Sequence, residues 1–477
     1  MDIKTPGRDL SLVDFTLLVL GAVIGADVYV VVAIGAALVG PAQLLAWLIA
    51  GVLAAIIALA FVQCAAIYPQ TGGSYAYAHR AFGSLPGFVA GWALYVGEWI
   101  ALPVFPVAFA NYLTFFFPDL NGVSAFLVKT LLIVAVSASN LLGARVGARV
   151  NDVLTAAKLL PLAVLILAGA AFIIMRPGLA AEHLVPFAPY GWSGLGESVL
   201  VIFWAYAGFE LAVLPAGEVK QPRRTLPRGL IIGMSIATGF YLLTALAAVV
   251  ALPSSVMAES KRSLADALEA ILSAFGMSSS PGGWLMSLGA IVSIAGVYEA
   301  FTLGVARLSY ALARDGLFPQ PFAWLHARYG TPWVGLVFQA VAALVLSNVA
   351  DLTQLIPASV LFLGICYALT ALAALRLVSR APGQALHVPG LKAFLVMATL
   401  AGVFLSLQAP PWIEAIGLGV MLAGLGLYFL RRGTWTAATE LESGIRHEER
   451  QLANWVAAHQ EWLLRSTRRP RRRERSG

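Results

Sequence analysis

The sequence predicts an all-helical integral membrane protein with about twelve transmembrane helices. Three observations carry that expectation. Of the 477 residues, 60% are hydrophobic and only 12% charged, about half of the roughly 25% charge that soluble domains carry. The mean hydropathy is +0.83, and the apolar residues run in stretches that supply the roughly 20 helical residues needed to cross a hydrocarbon core about 30 Å thick. The Lys and Arg residues between those stretches gather on alternate loops, as topology requires. The same composition excludes a disordered chain, and two cysteines exclude a disulfide scaffold. Alternating strands of the outer-membrane-barrel kind are not seen in the sequence.

Spans are expected at about 12–38, 44–66, 86–117, 123–142, 153–175, 195–217, 228–252, 284–313, 332–349, 353–378, 391–408 and 412–431, read from hydropathy and length. The first reads as a span and not as a secretory signal, because it is too long and has no strongly basic leader. Cys64 and Cys366 fall inside spans as small apolar groups. With the N-terminus inside, the cytoplasmic loops collect Lys4, Arg8, Arg80, Lys220, Arg314 and Arg376 among others, whereas the outer side holds Arg176, Lys261 and Arg262. That places a multi-pass protein in the cytoplasmic membrane with both termini cytoplasmic. The net charge of +7 is then a topology signature, and with no aromatic–basic module beside it no nucleic acid partner is expected.

Between Pro253 and Gly283 a short helix is predicted at Leu264–Phe275, capping the outer face. Residues 1–432 are read as one transmembrane domain and 433–477 as a cytoplasmic tail. The tail carries Leu441, Ile445, Leu452, Val456 and Leu463 at near-helical spacing and ends in an arginine-rich run. It is either solvated or held on anionic lipids, at about 1 kcal/mol per basic residue.

Two spans carry a break. Span 1 reads Gly21-Ala-Val-Ile-Gly-Ala-Asp-Val-Tyr29 and span 6 reads Trp204-Ala-Tyr-Ala-Gly-Phe-Glu-Leu211. Both contain Ala-x-x-Gly-x-acid-apolar: Ala22, Gly25, Asp27, Val28 against Ala205, Gly208, Glu210, Leu211. Spans 1 and 6 open two five-span halves, at about 12–175 and 195–378, with extra helices at about 391–431. An odd number of spans per half inverts one half against the other. Paired interrupted helices at matching positions of inverted halves point to a transporter's midplane binding site. Half-helix N-termini offer N–H groups to a carboxylate and half-helix C-termini offer carbonyls to an ammonium, which together suit an amino acid zwitterion.

These segments, with Glu218-Val-Lys-Gln-Pro-Arg-Arg-Thr-Leu-Pro227 and Ala313-Arg-Asp-Gly-Leu-Phe-Pro319, resemble the amino acid–polyamine–organocation permeases over residues 10 to about 430. The resemblance implies the LeuT-type fold, a 5+5 inverted repeat plus two helices, with spans 1, 2, 6 and 7 rocking against 3, 4, 8 and 9. It implies that amides around Gly25, Ala26 and Asp27 hold a substrate carboxylate and that carbonyls of Trp204, Ala205 and Ala207 hold its amine. Ile24 and Tyr206 lie in the same stretches, and Trp204 is the implied aromatic gate. The family usually has glycine where this chain has Asp27. Three readings of that departure stand together: an N-cap of the outer half of span 1, a contact to a substrate ammonium, or a proton carrier.

Ionisable groups inside spans are functional candidates because their burial is expensive. Lys158 follows Asn151 and Thr155 along one stripe of span 5. The resemblance implies that a lysine there replaces a sodium ion between spans 1, 5 and 8; the alternative is a static structural charge. In span 3, Trp92, Tyr95, Glu98 and Trp99 share an arc of about 120°, lining a cavity or packing around one satisfied acid. Glu299 in span 8 either faces the cavity or pairs with another span, and Glu210 joins Lys158, Glu98 and Glu299 as a coupling or gating candidate.

No histidine of the six is mid-span, no His-Glu-x-x-His or Cys/His cluster occurs, and Gly72-Gly73 lacks the Lys-Ser/Thr of a phosphate loop. No metal, cofactor or enzymatic activity is expected. The expected function is secondary transport of an amino acid, sodium-independent and driven by protons or by exchange. The alternatives are a polyamine or monoamine carrier and a substrate sensor that moves nothing; a membrane enzyme is the weakest reading. The expected partners are an amino acid or amine, protons and membrane lipids.

Overall fold

A computed structural model describes residues 10–68, 73–143, 148–212 and 219–431. The side chains of 148–158, Lys158 among them, and the tail 433–477 lie outside the described residues. Apart from one backbone bridge between Leu10 and Val219, the regular structure described is helical.

The chain opens with α1, Leu12–Val23, started by a capping box. The Ser11 N–H donates to Asp14 Oδ2 at 2.9 Å and the Asp14 N–H to Ser11 Oγ at 3.3 Å, so two orphan amides find partners at once. It continues as α2, Val28–Val39, and α3, Gln43–Ile67, after a turn at Gly40 and Pro41. Next come α4, Gly73–Phe82, and α5, Ser84–Ala101, which yields to α6, Val104–Leu113, at Pro103. The single span expected over 86–117 is matched by one apolar segment, Ser84–Leu113, in which Pro103 lacks an N–H and interrupts the hydrogen-bond ladder. Then follow α7, Gly122–Leu141, α8, Ala148–Met175, and α9, Pro177–His183.

The second half runs α10, Leu195–Phe203, α11, Phe209–Ala212, and α12, Pro222–Ala251. Short helices α13, Ser254–Glu259, and α14, Ser263–Ala274, precede α15, Ser280–Arg314. The helix expected at Leu264–Phe275 is α14. The chain closes with α16, Trp333–Val349, α17, Leu352–Arg380, α18, Leu391–Ser406, and α19, Pro411–Arg431.

Among the described residues seven helical segments are long and apolar enough to cross a membrane, and eight if α8 and α9, bent by 110°, count as one. Four further apolar helices are shorter: Leu12–Val23, Leu195–Tyr206, Trp333–Val349 and Leu391–Ser406. The first two are short for one reason, that the chain unwinds beside them. The core lies where α3 meets α10, α12 and α17 and where α5 meets α17. There Trp47, Phe61, Phe203, Tyr206, Tyr241 and Tyr367 are fully buried.

Close helix approach in this core depends on small residues, as in other membrane bundles. A Cβ on Gly364 of α17 would sit 2.7 Å from the Gly402 carbonyl of α18, and one on Gly402 would sit 2.6 Å from the Ala368 nitrogen. Gly402→Val is therefore expected to lower the melting temperature in detergent by several degrees, for an overpacking cost of about 1–3 kcal/mol. Gly419→Val on α19, where a Cβ meets nothing within 4 Å, is expected to leave it unchanged. Equal melting of the two variants would remove the glycine contact as a determinant of the fold.

Candidate functional site

The site is built where the two interrupted helices meet. Helix α1 ends because Ile24 turns to extended backbone, φ −75° and ψ 101°. The Ile24 N–H still reaches the Leu20 carbonyl at 2.8 Å, and the ladder resumes with the Tyr29 N–H on the Ala26 carbonyl at 3.1 Å. On the other helix, α10 tightens into a 3-10 turn at Trp204–Tyr206 and Ala207 turns extended. Gly208 then takes φ +112°, and a Cβ there would lie 2.5 Å from the Ala22 carbonyl. The left-handed backbone and the contact together make glycine the residue that fits, and they set the two breaks against each other.

One side chain from a continuous helix ties the breaks together. The Gly25 N–H donates to the Tyr241 hydroxyl at 3.3 Å. That hydroxyl lies 2.7 Å from the Val23 carbonyl and 3.1 Å from the Ala205 carbonyl, donating to them in turn. The Tyr241 ring packs against Trp47 and Tyr206, each with its centroid 5.3 Å away, and those two lie 6.0 Å from each other.

The outgoing half of span 6 is capped from within. Glu210 Oε2 accepts the Gly208 N–H at 3.0 Å, and Oε1 accepts the Tyr367 hydroxyl at 3.4 Å. Tyr367 in turn packs with Phe61 and Phe209, the three ring centroids 5.4–5.7 Å apart. Glu98 of α5 is buried in the same core, at 8% exposure against 7% for Glu210.

Other expected residues are distributed as follows. Ile24, Gly25, Ala26 and Asp27 are buried at the break. Asp27 holds the N-cap position of α2 but makes no side-chain capping hydrogen bond. Its carboxylate folds back instead, so that a Cβ on Gly25 would meet Asp27 Oδ2 at 2.9 Å. The Trp204 ring packs 5.8 Å from Phe105, which also touches Tyr298 and Phe301. The Trp204 carbonyl accepts the Ala207 N–H at 3.1 Å, and the Ala205 carbonyl is shared with Tyr241. Tyr206 turns its hydroxyl to the Trp47 carbonyl at 3.0 Å, on the α3 side of the break.

The arc on α5 divides. Trp92, Tyr95 and Trp99 form a packed aromatic row with Phe318 and Phe338, and Glu98 is buried in the core. Glu299 stands apart from the breaks: Ser139 of α7 donates to its Oε1 at 2.8 Å. Val297 is the α15 residue that reaches Gly25, and Glu299 lies about 200° further round the helix, at about 100° per residue. The backbone of Lys158 lies in α8; its side chain lies outside the described residues.

Tyr241 and Tyr367 are not legible in the sequence as site residues. The available signal is a phenol in the middle of an apolar span, since a buried hydroxyl needs a partner. Both ends of the bundle are tied as well. Tyr75 donates to Asp315 Oδ2 at 2.7 Å at one end. At the other, Arg262 pairs with Asp266 at 3.1 Å and sits 4.9 Å from the centre of the Phe115 ring. Burial pushes the Glu269 carboxyl of α14 above its usual range, and Arg262 pulls against that shift.

Glu210→Ala is expected to leave the Gly208 N–H without its acceptor and to cost about 1–2 kcal/mol of stability. Glu210→Gln keeps an oxygen there and is expected to cost less than half as much. Melting temperatures of the two purified variants check the order, and a reversed order would exclude the capping role.

Comparison with known proteins agrees with this architecture. The family model described as amino acid permease matches residues 10–420. The chain is 30% identical to cationic amino acid transporter 4 of Mus musculus, over 73% of this chain and 56% of that protein. It is 28% identical to the methylthioribose transporter of Bacillus subtilis, over 74% and 78% of the two chains. It is 28% identical to the serine/threonine exchanger SteT of the same species, over 88% and 96%. These relatives are transporters and exchangers, not enzymes. The chain is thus a multi-pass membrane protein that belongs to the amino acid permease family, within the amino acid–polyamine–organocation superfamily.

Proposed function

We propose that this permease is a secondary active transporter that moves an amino acid across the cytoplasmic membrane by alternating access. The observation that carries the reading is the meeting of two interrupted helices at Gly208, Ala22 and Tyr241. There the Gly25 N–H of span 1 and the Ala205 carbonyl of span 6 come within reach of one hydroxyl, and free amides and carbonyls at helix breaks recognise a carboxylate and an ammonium. Substrate contacts fall to Ile24, Gly25, Ala26, Trp204, Ala205 and Ala207, with Tyr206 and Tyr95 supporting them from behind.

On this reading the chain crosses the membrane twelve times in a 5+5 inverted repeat plus two helices, with both termini cytoplasmic. Coupling is sodium-independent, by protons or by exchange. Lys158 takes the place of a sodium ion, and the Glu98–Glu210 pair holds a proton between a scaffold helix and a mobile one. Glu299, bonded to Ser139, serves the scaffold. Proteoliposome uptake tests the coupling. Uptake is expected to ignore sodium and to rise with an inward proton gradient, and Lys158→Ala is expected to abolish net uptake while sparing binding. A strict sodium requirement, or full activity in Lys158→Ala, would sink the assignment.

A second substrate class, an amine without a carboxylate, is favoured by the Asp27 carboxylate folded against Gly25. Two like charges beside the same amides repel, so a charged Asp27 discriminates against zwitterions. Asp27→Gly is then expected to shift preference from amines to amino acids by about tenfold, or 1.4 kcal/mol. Competition binding with amino acids and polyamines reads this directly. An unchanged ranking would confine Asp27 to the architecture of the break.

A further inference from the structure

A carrier that performs net uptake crosses its occluded form twice per cycle, once with substrate and once without. Backbone groups exposed by a helix break are costly in hydrocarbon unless something partners them on both passes. The Tyr241 hydroxyl has the required chemistry, because it can give one proton and accept another. It accepts the Gly25 N–H at 3.3 Å and reaches the Ala205 carbonyl at 3.1 Å and the Val23 carbonyl at 2.7 Å. Gly25 N–H and Ala205 C=O are the groups that the transporter reading assigns to a substrate carboxylate and a substrate ammonium. The phenol packs in a three-ring cluster with Trp47 and Tyr206, which also touch each other, and it hangs from α12, a helix that runs from Pro222 to Ala251.

We propose that the Tyr241 hydroxyl is a built-in stand-in for substrate. On the substrate-free pass it accepts the Gly25 N–H and gives its one proton to either the Val23 or the Ala205 carbonyl, and it yields Gly25 N–H and Ala205 C=O when a zwitterion arrives. This rests on the transporter reading and deepens it: Tyr241 is a positioning residue that permits net uptake as distinct from exchange. Tyr241→Phe keeps the packed ring and removes both hydrogen-bonding roles. The loaded pass does not need the hydroxyl, and the unloaded pass does.

The test uses the full-length protein in proteoliposomes with radiolabelled L-arginine, L-leucine and L-serine. Counterflow into vesicles preloaded with the same amino acid is compared with net uptake into amino-acid-free vesicles under an inward proton gradient. In Tyr241→Phe, counterflow is expected to stay within about twofold of the parent and net uptake to fall at least tenfold, which is 1.4 kcal/mol. Trp47→Phe, which loosens the ring packing and keeps the hydroxyl, is expected to lower both fluxes in proportion. Binding in detergent supplies a readout independent of flux: with the competing hydroxyl gone, Tyr241→Phe is expected to bind the transported amino acid about tenfold more tightly. Parallel loss of counterflow and net uptake in Tyr241→Phe, or weaker binding, would overturn the proposal. So would a parent that exchanges but shows no net uptake, which leaves the transporter reading standing. A parent that moves none of the three amino acids by either route counts against the transporter reading itself.

Discussion

Everything at the centre of this protein follows from the need to partner backbone amides and carbonyls where water is excluded. An intact helix does this for itself, and a broken one does not. The two breaks therefore have to import partners, and they do so differently. Span 6 supplies its own, with Glu210 accepting the Gly208 N–H two residues back. Span 1 depends on another helix, through the Tyr241 hydroxyl on Gly25 and Val23. Each solution then dictates its surroundings. A carboxyl in that position needs a further donor, and Tyr367 provides it. A phenol in that position needs a rigid seat, which Trp47 and Tyr206 form.

Packing around the breaks follows the same economy. Small residues stand where backbones have to come close, at Gly208 against Ala22 and at Gly364 against Gly402. Large aromatics fill the spaces that remain, as in the Trp92, Tyr95 and Trp99 row with Phe318 and Phe338. Proline marks the places where the ladder is allowed to lapse, at Pro103 between α5 and α6 and within α8 at Pro161. The polar atoms of the site are thus held by groups that themselves have little freedom.

Much of this is legible in the sequence, and what is not has a physical cause. Hydropathy identifies the apolar segments because lipid imposes one length on all of them. Glycine beside an acid within an apolar run locates both breaks, because the backbone there leaves ordinary helix geometry. Glu210 is visible as a buried acid but not as a cap, since its role depends on a turn that begins at Ala207. The face of a residue on a long helix is harder still. Glu299 is bonded to Ser139, while Val297, two residues earlier, reaches Gly25; the helical period alone does not say which of the two faces inward. Tyr241 is invisible for a different reason. Its partners lie 216 and 36 residues away in the chain, and no local pattern encodes them.

That separation also bears on the order in which the molecule can be made. The Glu210 cap on the Gly208 N–H can form within span 6 itself, whereas the Ala205 carbonyl of the same break waits for Tyr241, 36 residues on. The break in span 1 waits for a hydroxyl encoded 216 residues after Gly25. At the usual 5–20 residues per second of synthesis, that is a delay of roughly 10–45 s. Throughout it Gly25 has no Tyr241 to bind. The contact that closes the break in span 1 is thus made on assembly with α12, not on insertion of span 1 alone.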